Sequence, residues 1–243
     1  MKHKILKRIV IGIMLVVIVL GVGCGVYIAD YYHADEQAII AATQSTNRVT
    51  VSEEGKNLVF APEDPVAGFI FYPGGKVQYE AYSPLVQKCA ENGILCVLVH
   101  MPGNLAVLDM NAADGIQEKY PEIETWYIGG HSLGGAMAAS YVAECTDMYQ
   151  GLILLAAYST RDLRNSGLDV LSVYGSEDHV LDREAYDENK KNLPQDYREC
   201  IIEGGCHAYF GSYGFQDGDG TPTITNEEQT EQTAGMIVDL IIN

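Results

Sequence analysis

The stretch from Trp126 to Ser140, WYIGGHSLGGAMAAS, limits the fold more than any other part of the chain. An apolar run ends in Gly130, His131, Ser132, Leu133 and Gly134, and a row of small residues, Gly135, Ala136, Ala138 and Ala139, follows. Read as strand, turn and helix, this is a G-x-S-x-G element. The serine sits on a strained turn with its hydroxyl pointing out, and a side chain two positions away on either side would collide with the backbone. The small residues then let the helix lie close to the sheet, with its positive N-terminal end toward the serine.

The surrounding pattern agrees with that reading. From Arg48 onward, short apolar runs alternate with helical stretches, which predicts βα units around a mostly parallel central sheet flanked by helices. RVTVSE and NLVFAP read as an opening hairpin, and AGFIFYP as the first buried strand. A helix over about 79–92 leads to ILCVLVH, and another over about 105–119 leads to TWYIGG. Beyond the helix that follows Ser132 come the strands GLILLAA, VLSVYG and RECIIEG, and a helix over about 226–242 closes the chain. There is no internal repeat and no low-complexity segment.

With 243 residues, 47% hydrophobic and 20% charged, the chain has room for one sizeable domain and an appendage. The appendage is Ile9 to Ala29, 21 residues without a charge, long enough as a helix to cross a hydrocarbon layer of roughly 30 Å. Lys2, Lys4, Lys7 and Arg8 precede it and Asp30, Asp35 and Glu36 follow, which predicts a cytoplasmic N-terminus and an extracytoplasmic remainder. A signal peptide, leaving a secreted protein, is the alternative; the apolar run exceeds the usual core of about 7–15 residues and no A-x-A site follows. Cys24 is not a lipid-attachment site on this reading, because Gly21 stands where such a motif carries leucine. The expected organisation is an anchor over 1–29, a stem over 30–48 with a short helix lifting the domain off the membrane, and a domain over 49–243.

Charge and cysteines bound the partners. The net charge is −18, and every acidic residue lies beyond the anchor, so the exported part should stay soluble and repel nucleic acid and anionic lipid. Cys89, Cys96, Cys145, Cys200 and Cys206 form no disulfide framework by number or spacing, and no specific bridge is expected.

A serine hydroxyl becomes a nucleophile only when a base takes its proton, and a histidine base needs a carboxylate to hold its tautomer. In sheets of this kind the order is serine, acid, histidine, with reacting groups at the C-terminal edge. Asp178 follows the strand VLSVYG, and His207 follows RECIIEG, so Ser132, Asp178 and His207 are the candidate triad. Glu177, Asp182 and Asp162 compete with the acid; His131, His179, His100 and His33 compete with the base but do not follow the last strand. The oxyanion needs two backbone donors. Leu133, after the nucleophile, is one, and Gly75 or Lys76 in the FYPGGK loop is the other. That loop also reads as an ordinary Pro-Gly-Gly turn. The segment DGDGTPTITNEE has Asp217, Asp219, Thr221 and Glu228 at calcium-loop positions, but Pro222 stands where glycine is required, so no metal is expected there.

Four phrases together carry a family resemblance: GGHSLGG, FYPGGKVQYEAYSPLVQKCAENGILCVLVHMPGNLAVLD, VYGSEDHVL and EGGCHAYFGSYGFQDGDGTPTIT. Over residues 49–243 the chain resembles a bacterial group of small, lid-less α/β-hydrolases, the alpha/beta hydrolase fold-5 family. The resemblance implies an α/β-hydrolase fold and a serine hydrolase acting on esters. The family motifs fall on Ser132, Asp178 and His207, and on the 74–76 loop for the oxyanion site.

The short interval between Ser132 and Asp178 leaves no room for a large cap, which favours small to medium esters over lipid interfaces. Tyr72, Tyr79, Met101, Tyr209 and Phe210 are the expected pocket wall. No cofactor is expected, and the sequence is silent on oligomeric state. The alternatives are an acyltransferase or an amidase or peptidase on the same fold, and a non-catalytic surface-binding protein.

Overall fold

The computed structural model describes residues 2–243, which form two compact units, one ending at Tyr31 and the other spanning Tyr32–Asn243. The first unit is dominated by helix α1 (Lys2–Ala29), whose segment Gly12–Ala29 is long and apolar enough to cross a membrane. A signal sequence has the same length and composition. The side chains of Lys2, Lys4, Arg8 and Cys24, on which the orientation and lipid-attachment readings rest, lie outside the described residues.

The second unit is built on an eight-stranded sheet: β1 (Val49–Glu54), β2 (Asn57–Pro62), β3 (Ala67–Tyr72), β4 (Ile94–Leu98), β5 (Trp126–His131), β6 (Gly151–Leu155), β7 (Asp169–Gly175) and β8 (Arg198–Ile202). Their spatial order is β1-β2-β4-β3-β5-β6-β7-β8. The opening hairpin is antiparallel, β2 pairs antiparallel with β4, and every other pairing is parallel. This is an α/β-hydrolase fold: a mostly parallel sheet covered by helices on both faces.

Side chains alternate across a strand, so a strand buried on both faces feeds two cores. In β3, Phe69 and Phe71 enter one core with Leu85, Val86 and Ile237, while Ile70 and Tyr72 enter the other with Ile128, Ala138 and Val142. The first core is covered by α3 (Ser83–Ala90) and α6 (Asn226–Ile242), the second by α4 (Leu133–Val142).

One expectation changes. Residues 105–119 form no α-helix; the chain there is a succession of three-residue turns, with Leu108 N–H bonded to the Leu105 carbonyl, Asp114 to Asn111 and Ile116 to Ala113. Asp109, Asn111 and Asp114 favour local turns, and Gly115 has φ +71°. The Tyr72 hydroxyl anchors this segment by accepting the Ala113 N–H and donating to the Met110 carbonyl, both at 2.9 Å. The stem expected over 30–48 carries its short helix and lies within the larger unit from Tyr32 onward. Its helix α2 (Glu36–Thr43), capped by Asp35, buries Ala38, Ala41 and Ala42, and Asp35 N–H bonds to the Ser212 carbonyl. Hence Tyr32–Thr46 packs as part of the larger unit. A further helix, α5 (Arg183–Asn189), lies between β7 and β8 and is capped by Asp182.

Candidate functional site

Ser132 stands between the end of β5 and the first residue of α4 with φ 52° and ψ −123°. A non-glycine residue there carries a backbone cost on the order of 1–3 kcal/mol, which the surroundings must offset. The offset is close packing. A Cβ on Gly130 would lie 2.3 Å from the Tyr72 carbonyl oxygen, and one on Gly134 would lie 2.3 Å from the carbonyl oxygens of both Tyr72 and Pro73. Both glycines of the motif are therefore contact points between the turn and the end of β3. Ser132 N–H bonds to the Leu155 carbonyl at 2.9 Å, which ties the turn to β6.

Asp178 and His207 come from the loops after β7 and β8, at the same edge of the sheet. Their side chains meet at 2.9 Å, His207 Nδ1 to Asp178 Oδ2, and the two residues are 2% and 4% exposed. The other carboxylate oxygen of Asp178 accepts the N–H groups of Val180 (3.0 Å) and Leu181 (2.8 Å). Acceptor-only bonding of this kind suits an ionised carboxylate, so the His207 ring is assigned as the Nδ1–H donor with Nε2 left as acceptor. Ser132 and His207 line one cleft of about 350 Å³.

Of the backbone donors expected near Ser132, Leu133 opens α4, and its N–H has no intrahelical acceptor. Gly75 packs against the Leu133 side chain, since a Cβ there would lie 2.9 Å from Leu133 Cδ2. Lys76 is a correction. Its N–H already donates to the Asn104 carbonyl at 2.8 Å, with Lys76 held at φ 59°, and that bond removes it from the free donors.

The cleft wall also differs from expectation. Leu133, Met137, Tyr158, Val180 and Leu181 line it, with Asp182 at the rim. Tyr72, Met101 and Phe210 are core residues, and Tyr79 packs against His100 in a separate hollow. Among the competing acids, Asp162 pairs with Arg164 and Asp182 caps α5. Among the described residues, no lysine or arginine lines the cleft.

One cluster escapes a reading of the sequence. The Tyr82 hydroxyl accepts the Gly74 N–H at 3.0 Å and lies within hydrogen-bond distance, 2.8 Å, of His131 Nδ1. His131 is 1% exposed, and its ring centroid is 4.5 Å from that of His207. Burial, reinforced by the neighbouring His207, pushes the His131 pKa well below the ordinary histidine range and keeps the ring neutral. Burial likewise raises that of Tyr82, so the phenol stays protonated. The pair joins the Gly74 loop to the base of the serine turn. No local pattern announces it, since the partners are far apart in sequence.

No curated protein matches the sequence significantly. Among solved structures, Est1E from Butyrivibrio proteoclasticus is 15% identical, with a TM-score of 0.55 over 81% of this chain and 100% of that one. Carboxyl esterase 2 from Tuber melanosporum is 10% identical, with a TM-score of 0.56 over 87% and 91%. TT1662 from Thermus thermophilus is 15% identical, with a TM-score of 0.58 over 81% and 99%. At such identities the likeness speaks for the fold alone. The sequence itself matches the model of the Alpha/beta hydrolase family over residues 68–231, from β3 into the first turns of α6 and across every loop described above. With fold and sequence in agreement over more than half of its length, the chain belongs to the alpha/beta hydrolase family.

Proposed function

We propose that the protein is a serine hydrolase that cleaves carboxylic esters of small to medium size. The observation that carries this is a buried His207–Asp178 pair opening into the same cleft as a serine on a strained strand-to-helix turn. His207 Nε2 takes the proton of Ser132 Oγ as the oxygen attacks the ester carbonyl, and Asp178 holds the resulting imidazolium. The oxyanion is met by the N–H groups of Leu133 and Gly75. Collapse expels the alcohol, which leaves with the proton from His207, and Ser132 carries the acyl group. A water deprotonated by His207 then attacks the acyl-enzyme and releases the acid.

The cleft supports an uncharged substrate. Its wall is mainly apolar, its rim carries a carboxylate, and the acidic molecule around it disfavours anions. The neighbour named as a carboxyl esterase is consistent with ester chemistry. We also propose that α1 retains the enzyme in the cell membrane with the larger unit on the outer side.

The test is steady-state hydrolysis of p-nitrophenyl esters, acetate to dodecanoate, by the full chain in detergent. Short and medium esters should be turned over, and Ser132→Ala and His207→Ala should each lower kcat by about a thousandfold or more. An inert parent, or variants as active as the parent, would refute the reading.

A further inference from the structure

The loop after His207 continues into Gln216-Asp217-Gly218-Asp219-Gly220, and the carboxylate of Asp219 reaches back to the start of this loop and across to the loop after β7. Its Oδ1 accepts the N–H groups of His207 (3.2 Å) and His179 (3.3 Å) as well as that of its own neighbour Gly220 (2.8 Å). Its Oδ2 accepts the N–H of Ala208 at 2.8 Å. His179 directly follows Asp178, so one carboxylate grips the backbone beside the proposed acid and the backbone of the proposed base.

The segment is shaped for this. Gly218 has φ +84°, and Asp219 N–H bonds back to the Gln216 carbonyl at 3.1 Å, closing a turn that presents the carboxylate. Gly220 seats on the acid loop so closely that a Cβ would lie 2.0 Å from the Glu177 carbonyl oxygen. Nearer the strands the two loops are joined by other bonds, Glu177 N–H to the Gly205 carbonyl and Gly204 N–H to Ser176 Oγ, both at 2.8 Å. Asp219 supplies the joint at the far end, where the reacting side chains project. Its oxygens face amide donors, which a bound cation does not share. Glu228, another acid of the calcium-like pattern, closes the capping box of α6.

We infer that Asp219 is a positioning residue: its carboxylate clamps the loop of Asp178 to the loop of His207 and thereby sets the His207 ring against Ser132. This rests on the serine-hydrolase reading above. The His207–Asp178 contact joins side chains from two separate loops, and a misplacement of about 1 Å costs on the order of a hundredfold in rate. Charge-assisted bonds to several amides are about twice as strong as neutral ones, so an amide replacement weakens the clamp without emptying the space.

The test compares the full chain in detergent with Asp219→Asn, Asp219→Ala and, as a control on the same loop, Asp217→Asn. It uses p-nitrophenyl butyrate and the rate at which a fluorophosphonate probe labels Ser132. The clamp predicts that Asp219→Asn remains folded with kcat lowered about 10- to 100-fold, KM changed less than about twofold, and labelling slowed by the same factor as kcat. Asp217→Asn keeps parental rates. Should Asp219→Ala not fold, the asparagine variant decides. A folded Asp219→Asn with kcat and labelling near parental values overturns the clamp while leaving the serine-hydrolase reading intact. So does a loss confined to KM, or one that merely follows the unfolded fraction. A parent chain that neither hydrolyses esters nor takes the probe overturns both.

Discussion

At the scale of single residues, histidine plays two parts a few ångströms apart. His207 is held by a carboxylate at a cleft, whereas His131 is buried, neutral and held by a phenol. The neutral ring has a consequence for stability. Its pKa lies well below the usual 6.5 in the folded state, so below pH 6.5 the unfolded chain takes up a proton that the folded chain refuses. Stability should therefore fall as pH drops below 6.5, by at most about 1.4 kcal/mol per pH unit for this one group. Denaturant titrations between pH 4.5 and 8 should show a shallower decline in His131→Gln than in the parent; equal slopes would mean that His131 is not the group refused. The sequence makes Asp178 and His207 legible because each follows a strand in a set order. Tyr82 and His131 are not, since their bond depends on how β5 and the turn before α3 pack. Lys76 fails as a donor for a related reason: what occupies its N–H is the Asn104 carbonyl, in a loop without periodicity.

At the scale of elements, the strands are readable as short apolar runs and α6 as a closing helix, which the structure shows to begin in a capping box of Thr225 and Glu228. Residues 105–119 mislead because their apolar spacing suits a helix as well as linked turns, and the tertiary anchor on Tyr72 selects the turns. The serine turn is readable because its glycines answer a steric demand. Gly134→Ala should show this: its methyl would lie 2.3 Å from two carbonyl oxygens, so the elements must part. We expect destabilisation of at least about 1–3 kcal/mol by thermal or chemical unfolding, together with lost ester hydrolysis. A variant with parental stability would show that α4 does not sit as closely on β3 as described.

At the scale of the whole molecule, the fold brings three loops, after β5, β7 and β8, to one edge of a sheet whose two cores hold their strand ends in place. The sequence reveals the layer order and the apolar N-terminal helix. It does not reveal that residues 32–46 belong to the larger unit, because Ala38, Ala41 and Ala42 make only a small apolar stripe. On the proposed function, this edge activates Ser132 through His207. Fluorophosphonate treatment of the full chain, followed by mass spectrometry of its peptides, tests it most directly. A single stoichiometric adduct on Ser132 is expected, absent from Ser132→Ala and strongly slowed in His207→Ala and Asp178→Asn. No adduct, an adduct on another serine, or labelling indifferent to His207 would contradict it.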